Sequence, residues 1–456
     1  MNILAIFNVV GVLLLLLSGL LLLPIGISLY YQFPALPGYM TETQAFTLTL
    51  LVSFLTGLTL WKILPSGVEK LRDREGFAIV TLSWVFVALF GAMPYYLSGA
   101  CPEFIDAFFE SMSGFTTTGA TILTNIDSMP LGILFWRNLT QWLGGMGIIL
   151  LSMAIFPALG IGSFHLFKAE VPGGVTVERM QPRLAETAKI LWKTYVALTA
   201  LEIILLSLGG VGFFDAVCHS LSTVATGGFS THSTSIGYFD SIYVESISIL
   251  FMFLGGISFA LRYQLVTGNF VNVFKNPELR FYYTMIIIGI VLATWGLSSS
   301  RPDVALSASF RDAAFNVMSI NTTSGFVTDD FNTWPNFLRI FMIVIMMVGG
   351  CSGSTSGSLK AIRFIILFKI IGRELKKLVY PRAIFHVKVA KKSVDPDDLT
   401  NVVALTCLFM GFATLSCVLL SLMGVDLITS ISASVACLFN IGPGLGEVGA
   451  TGSYAD

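Results

Sequence analysis

Nine stretches of this chain are long and apolar enough to cross a lipid bilayer. A spanning helix needs about 20 mainly apolar residues. Such runs occupy 3–30, 42–64, 76–97, 131–156, 188–208, 242–266, 280–297, 336–371 and 399–423. Of 456 residues, 55 % are hydrophobic and only 12 % charged, against roughly 25 % charged in an average soluble protein. Mean hydropathy is +0.81. Helices and closed barrels are the structures that satisfy their own backbone in lipid, so runs of this length predict an all-α integral membrane protein. The first run lacks the basic flank of a signal peptide and is followed by another from Phe46, so it reads as a retained spanning helix.

The loops carry an orientation signal. One set holds Lys70, Arg72 and Arg74, then Lys168, Arg179 and Arg183, then Lys275 and Arg280. The largest member holds Lys360, Arg363, Lys369, Arg373, Lys376, Lys377, Arg382, Lys388, Lys391 and Lys392. The alternate loops hold Glu103, Asp106, Asp127, Asp215, Asp240, Asp303, Asp329 and Asp330, with Arg301 and Arg311 as basic exceptions. The positive-inside rule then puts the N-terminus in the cytoplasm and the C-terminus outside. No loop is long enough for a soluble domain, so a regulatory nucleotide domain would belong to another chain.

The chemistry of the chain excludes several classes. Net charge is -1, and there is no basic stripe with interleaved aromatics, which argues against a nucleic-acid partner. The cysteines (Cys101, Cys218, Cys351, Cys407, Cys417, Cys437) and histidines (His165, His219, His232, His386) are scattered, without CxxC or HExxH spacing. There is no nucleophile–base pattern and no paired carboxylates on one helix face, so nothing points to an enzyme or to a cofactor on this chain.

Between certain spans lie segments too short to cross. They read "FFESMSGFTTTGAT", "VCHSLSTVATGGFS", "AFNVMSINTTSGFV" and "SVACLFNIGPGLGE", beginning at Phe108, Val217, Ala314 and Ser434. Overlaid, Gly119, Gly228, Gly325 and Gly444 coincide, and the upstream triplets "SMS", "SLS" and "VMS" stack, with "ACL" looser. Each unit thus reads helix, short re-entrant helix, polar strand, helix. Non-helical backbone at membrane depth is tolerated when buried in protein or facing water. Four such segments can surround one axis, and a ring of carbonyls can replace a cation's hydration shell. The candidate filter residues are Thr116, Thr117, Thr118 and Gly119; Ala225, Thr226, Gly227 and Gly228; Thr322, Thr323, Ser324 and Gly325; and Ile441, Gly442, Pro443 and Gly444. Glycine supplies backbone angles other residues resist, and threonine hydroxyls can bond nearby backbone groups.

A second interruption, Gly349, Gly350, Cys351, Ser352, Gly353, Ser354, Thr355, Ser356, Gly357 and Ser358, breaks the apolar run after the third repeat. Each interior glycine costs a helix roughly 1 kcal/mol relative to alanine, so this stretch is expected to unwind. It is a candidate gating loop; the plain alternative is a tight helix crossing on small residues. The double glycines of "WLGGMG", "FLGGIS" and "MVGGCS" read as close-packing sites. Glu110 is placed to stabilise the first filter from behind or to join Asp106 in a negative outer mouth. Glu202, inside a spanning helix, either draws cations or pairs with a neighbouring helix. Asp215, Asp312 and Asp426 stand near the starts of short helices and read as caps. Arg137 and Arg339 read as snorkelling anchors or as partners for filter-side acids.

Taken together, "SGFTTTGAT", "QWLGGMGI", "STVATGGFS", "GGCSGSTSGSLK" and "NIGPGLGEVG" resemble the Trk, Ktr and HKT potassium transporter superfamily, and look most like its TrkH-type membrane subunit. The resemblance runs along nearly the whole chain. It implies four pseudo-repeated helix–pore-loop–helix (MPM) units around one pore, plus an N-terminal helix pair. The division would be 1–70 for that pair, 71–165, 166–275 and 276–392 for units one to three, the third with the gating loop, and 393–456 for unit four. It further implies inward K⁺ conduction in a bacterial inner membrane, K⁺ held only at the filter, a homodimer, and a cytoplasmic TrkA-type nucleotide-binding ring. In that family a tenth helix follows the fourth filter, so the last helix of unit four is expected beyond residue 456. An H⁺- or Na⁺-coupled secondary transporter is the alternative, because broken helices also serve that class.

Overall fold

The computed structural model describes residues 2–64, 73–147, 184–266, 268, 270–389 and 392–455. The basic residues Lys70, Arg72, Lys168, Arg179, Arg183 and Lys391, and the inner part of the run at 131–156, lie outside the described residues. The chain divides into two compact units, Met1–Phe239 with Ser453–Asp456, and Asp240–Gly452.

Six helices among the described residues are long and apolar enough to cross a membrane: Ile3–Tyr31, Glu42–Ile63, Arg74–Ser98, Lys189–Leu208, Pro277–Ser300 and Pro396–Leu422. Their starts follow local chemistry. Thr41 and Gln44 form a reciprocal capping box ahead of Glu42. Asn276 and Asp395 cap helices whose first residue is proline, where the missing N–H is harmless.

In the first unit, Gly11 and Gly57 let the first two long helices cross almost backbone to backbone. A Cβ on Gly11 would lie 2.9 Å from the Gly57 carbonyl oxygen, and one on Gly57 2.8 Å from that of Gly11. The helix ending at Ser98 packs on the short helix Phe104–Phe115, where a Cβ at Gly91 would lie 2.7 Å from Ser111 Oγ. Leu131–Trp142 follows and runs into a π-turn at Leu143–Gly147. The unit's second short helix is Phe213–Ala225.

In the second unit the same pairing recurs. Gly289 of Pro277–Ser300 meets Val317 of the short helix Leu306–Asn321. Val317 holds the repeat position of Ser111. One sequence expectation changes here. The run at 242–266 is not one straight span: the chain is bent by 118° between Ile242–Gly256 and Phe259–Leu265. Gly256, the last residue before the bend, packs closely on the Tyr282 ring, where a Cβ would lie 2.6 Å from Cζ. The run at 336–371 splits into Asn336–Met346 and Ala361–Val379 around the polar loop, as its glycines predict. A short hairpin, with Lys388 opposite Ser393, packs beneath the latter helix through Val387, Val394 and Ile366. The unit closes with Pro396–Leu422 and the short helix Leu427–Leu438.

Candidate functional site

Each of the four short helices ends in the same turn. In the first, the N–H of Thr117 bonds the Gly114 carbonyl at 3.0 Å and that of Thr118 bonds Ser113 at 2.9 Å. The equivalent outer bonds run from Gly227 to Ser222 (2.9 Å), from Ser324 to Ser319 (2.8 Å) and from Ile441 to Ala436 (2.8 Å). This is a Schellman cap, whose pivot is normally glycine in the left-handed region. Here the pivots are Thr117 (φ 58°), Thr226 (54°), Thr323 (58°) and Asn440 (66°). A β-branched residue with positive φ is an outlier, and such strain gathers at functional sites. Two residues on, the chain turns left-handed again at Gly119 (78°), Gly228 (86°), Gly325 (77°) and Gly442 (98°).

The fourth member corrects the sequence alignment. Gly442, not Gly444, matches the other three glycines, so Pro443 and Gly444 lie beyond the turn. The upstream triplet then becomes Ser434-Val435-Ala436, a closer match to "SMS" and "SLS" than "ACL" is. Two glycines flank Pro443, and residue letters alone cannot choose between them.

Within each unit neighbouring turns touch. A Cβ on Gly119 would overlap the carbonyl oxygen of Gly227, and one on Gly325 that of Ile441. The threonine hydroxyls bond backbone, as expected: Thr116 Oγ1 donates to Met112 O at 2.7 Å and Thr322 Oγ1 to Met318 O at 2.8 Å. Gln141, fully buried, donates to Gly227 O at 2.7 Å and accepts from the Phe229 N–H at 3.0 Å. The tight approach of Gly144 to the Phe115 carbonyl, and of Gly145 to Ala225, bears out the close-packing reading of the first double glycine.

Behind the first turn, Glu110 and Arg137 form a buried ion pair at 2.6 Å. Glu110 also accepts the Ile122 N–H at 2.9 Å. Arg137 reaches Ser230 O at 3.1 Å and Thr121 Oγ1 at 3.0 Å, and lies over the Phe229 ring. Of its two sequence readings, Arg137 is therefore the partner of an acid beside the first turn and not a snorkelling anchor. The repeat position of Glu110 holds His219 in the second short helix, bonded to Ser230 Oγ at 2.9 Å, and Asn316 in the third, whose amide reaches Thr328 Oγ1 at 3.3 Å. In three repeats one polar side chain thus ties the short helix to the strand beyond its turn. Extending the repeat alignment upstream exposes this column; Gln141 carries no such signal.

Glu202 is fully buried beside the Thr223 hydroxyl of the second short helix, with no cationic partner among the described residues. Asp426 caps its helix as expected, accepting from Ile428 and Thr429. Asp215 does not cap. Its carboxylate accepts from Thr231 Oγ1 at 2.7 Å and faces His232, whose other ring nitrogen meets Asp127 at 3.1 Å.

Burial disfavours the His232 cation, yet the carboxylates of Asp215 and Asp127 outweigh it and hold its pKa above 6.5. Asp127, bonded to Ser233 and His232, lies below its ordinary 3.8; Asp215 also does, its partners outweighing burial. A raised histidine stabilises the fold fully below its unfolded pKa and loses that contribution as pH rises through its folded one. The two lowered carboxylates contribute above their unfolded values and fail only in acid. The melting temperature of the purified protein is therefore expected to fall as pH climbs from 6.5 through the His232 titration. His232→Gln should flatten that slope; an unchanged slope would remove His232 as its source.

The polar loop is bonded on two sides. Cys351 N–H donates to Gly256 O at 2.8 Å, Thr355 Oγ1 to Gly255 O at 3.1 Å, and Phe259 N–H to Gly353 O at 2.8 Å. The loop thus takes up backbone groups freed by the bend in the neighbouring helix pair. On its other side the Gly357 N–H donates to Thr323 Oγ1 at 2.6 Å, and Asn321 Nδ2 donates to Val348 O at 3.1 Å. Gly357 also lies against Asn440, the fourth pivot. The candidate gating residues therefore rest directly on the third and fourth turns.

Spanning helices alternating with short helices that stop in buried, glycine-bearing turns are the architecture of a membrane transport protein. The chain belongs to the TrkH cation transport protein family, whose model matches residues 42–455. It is 41 % identical over 448 residues to the Trk system potassium uptake protein TrkH of Salmonella typhimurium, covering 97 % of this chain and 91 % of that protein. It is 35 % identical over 429 residues to the Trk system potassium uptake protein TrkG of Escherichia coli, covering 93 % of this chain and 86 % of the relative. The crystal structure of the potassium transporter TrkH from Vibrio parahaemolyticus matches with a TM-score of 0.86 at 36 % identity, over 100 % of this chain and 93 % of the other.

Proposed function

We propose that this protein mediates potassium uptake through a channel-like pore lined by four helix–pore-loop–helix units. The observation that carries this reading is the turn repeated four times, with a left-handed pivot and a left-handed glycine two residues on. Alternating backbone hand turns successive N–H groups to one side, which leaves neighbouring carbonyls to the other side of the strand. Four such strands around one axis would replace the water around a bare K⁺. Relatives named as potassium uptake proteins support the choice of ion.

The loop at 349–358 acts as a gate below the third and fourth turns. A homodimer, a cytoplasmic nucleotide-binding ring of the TrkA type and a cytoplasmic N-terminus in the bacterial inner membrane complete the reading. The basic helix Ala361–Val379 follows the gate directly, and Lys369, Arg373, Lys376 and Lys377 give it a face for such a ring.

Flux in proteoliposomes tests the proposal. K⁺ and Rb⁺ should enter down their gradients without fixed proton stoichiometry; strict coupling to H⁺ or Na⁺ would favour a secondary transporter. Removing 353–357 should raise Rb⁺ uptake about tenfold, the change produced by shifting a closed–open equilibrium by ~1.4 kcal/mol. Unchanged or lower uptake would count against a gate.

A further inference from the structure

Glu278 is a charged side chain that touches the loop from outside it. It stands in the first turn of Pro277–Ser300, fixed by Asn276, whose Oδ1 accepts the N–H groups of Glu278 at 2.8 Å and Leu279 at 3.2 Å. One of its carboxylate oxygens, Oε1, accepts two backbone N–H groups, one from within the polar segment and one from the helix that follows it. Ser352 donates at 2.6 Å and Ile362 at 3.2 Å. Ile362 belongs to the first turn of Ala361–Val379, where N–H groups have no partner within the helix and a negative charge is favoured. Lys360 and Arg363 flank the carboxylate, and Lys360 in turn donates to the Ser356 carbonyl. The loop's bonds to Gly255, Gly256, Phe259 and Thr323 are between neutral groups. Hydrogen bonds to an ionised group are roughly twice as strong as neutral ones, so Glu278 is the firmest of these attachments.

We propose that Glu278 is the positioning residue that latches the loop. Its carboxylate holds the middle of the polar segment and the head of the following helix at one point, and the loop leaves its closed position only when that oxygen releases both. This rests on the reading of the loop as a gate, and the test separates the two.

Cys351 is buried and precedes Ser352 in the chain. Its labelling by N-ethylmaleimide, followed by peptide mass spectrometry on the purified full-length protein, reports loop release without reference to flux. Glu278→Ala should speed labelling at least about tenfold, since losing a hydrogen bond to a charged group is worth ~1.5 kcal/mol or more. Glu278→Gln keeps an acceptor without the charge and should fall between. Rb⁺ uptake should rise in the same order with the K⁺-over-Na⁺ preference unchanged, and Glu278→Ala should add nothing in a protein lacking 353–357. Should Glu278→Ala fail to fold, the near-isosteric Gln variant carries the test. Wild-type labelling rates in folded Gln and Ala variants would overturn the latch. Faster labelling without faster uptake would uphold the latch and sink the gate.

Discussion

Alanine or serine at Gly325 is expected to abolish K⁺-selective uptake. Two separate penalties act there. A φ of 77° costs a side-chain-bearing residue roughly 1–2 kcal/mol. The new Cβ would also overlap the Ile441 carbonyl oxygen, which must then swing away. Gly119 faces the same two penalties against the Gly227 carbonyl. In a filter of main-chain oxygens, a displaced carbonyl removes a ligand from the ion, so selectivity should fall even where the protein still folds. Together the penalties point to a loss on the order of a hundredfold in K⁺ uptake, which corresponds to ~2.8 kcal/mol, with Na⁺ uptake falling less. The control is Gly444→Ala. That glycine lies outside the left-handed set, and its nearest neighbours are Val448 Cγ2 at 2.9 Å, Ser432 Oγ at 3.1 Å and the Ser432 carbonyl carbon at 3.3 Å, with no carbonyl oxygen of a neighbouring turn among them. It should disturb selectivity less, whereas Gly442→Ala, at φ 98°, should resemble Gly325→Ala. Equal effects at 442 and 444 would contradict the placing of Gly442 as the fourth filter glycine.

Arg137→Met is expected to have a comparably large effect, on stability first. The substitution strands the Glu110 carboxylate inside the protein, where breaking a buried ion pair typically costs 3–5 kcal/mol. It also leaves Ser230 O and Thr121 Oγ1 without their guanidinium donor. The purified variant should melt well below wild type and conduct poorly, because both tied strands follow turns of the proposed filter. Adding Glu110→Leu should restore much of the melting temperature, since replacing a buried pair by apolar residues is often close to neutral. Uptake should recover less than stability, because the strand ties stay lost. If the single variant melts like wild type, the pair does not hold the turn. If the double variant regains full uptake, the strand ties are dispensable.

The sequence is most legible where the signal is local. Apolar length marks the spans, and the density of glycine and serine at 349–358 marks the unwound loop, because each residue there lowers helix stability by itself. The four turns are visible as recurring small polar residues after a short apolar helix. The register of the fourth is not, since Gly442 and Gly444 flank one proline and differ only in backbone hand. The bend after Gly256 is hidden because its neighbours are apolar and a group that takes up its freed backbone, Thr355, comes from 100 positions away. The buttresses are hidden for the same reason. Gln141 acts on Gly227 across 86 positions and Glu278 on Ser352 across 74. Arg137 reads as an anchor or as an acid's partner until Glu110 is seen beside it, because an arginine near a helix end serves either role.

The account depends on four turns presenting main-chain oxygens to one ion. Anomalous diffraction from crystals of the full-length protein soaked in Rb⁺ tests that most directly. The expected result is Rb⁺ density on a single axis, coordinated by carbonyl oxygens drawn from all four segments, 116–119, 225–228, 322–325 and 439–442. Density seated on Glu202 or on the acids near Asp215, with the four segments facing lipid or separate cavities, would contradict it.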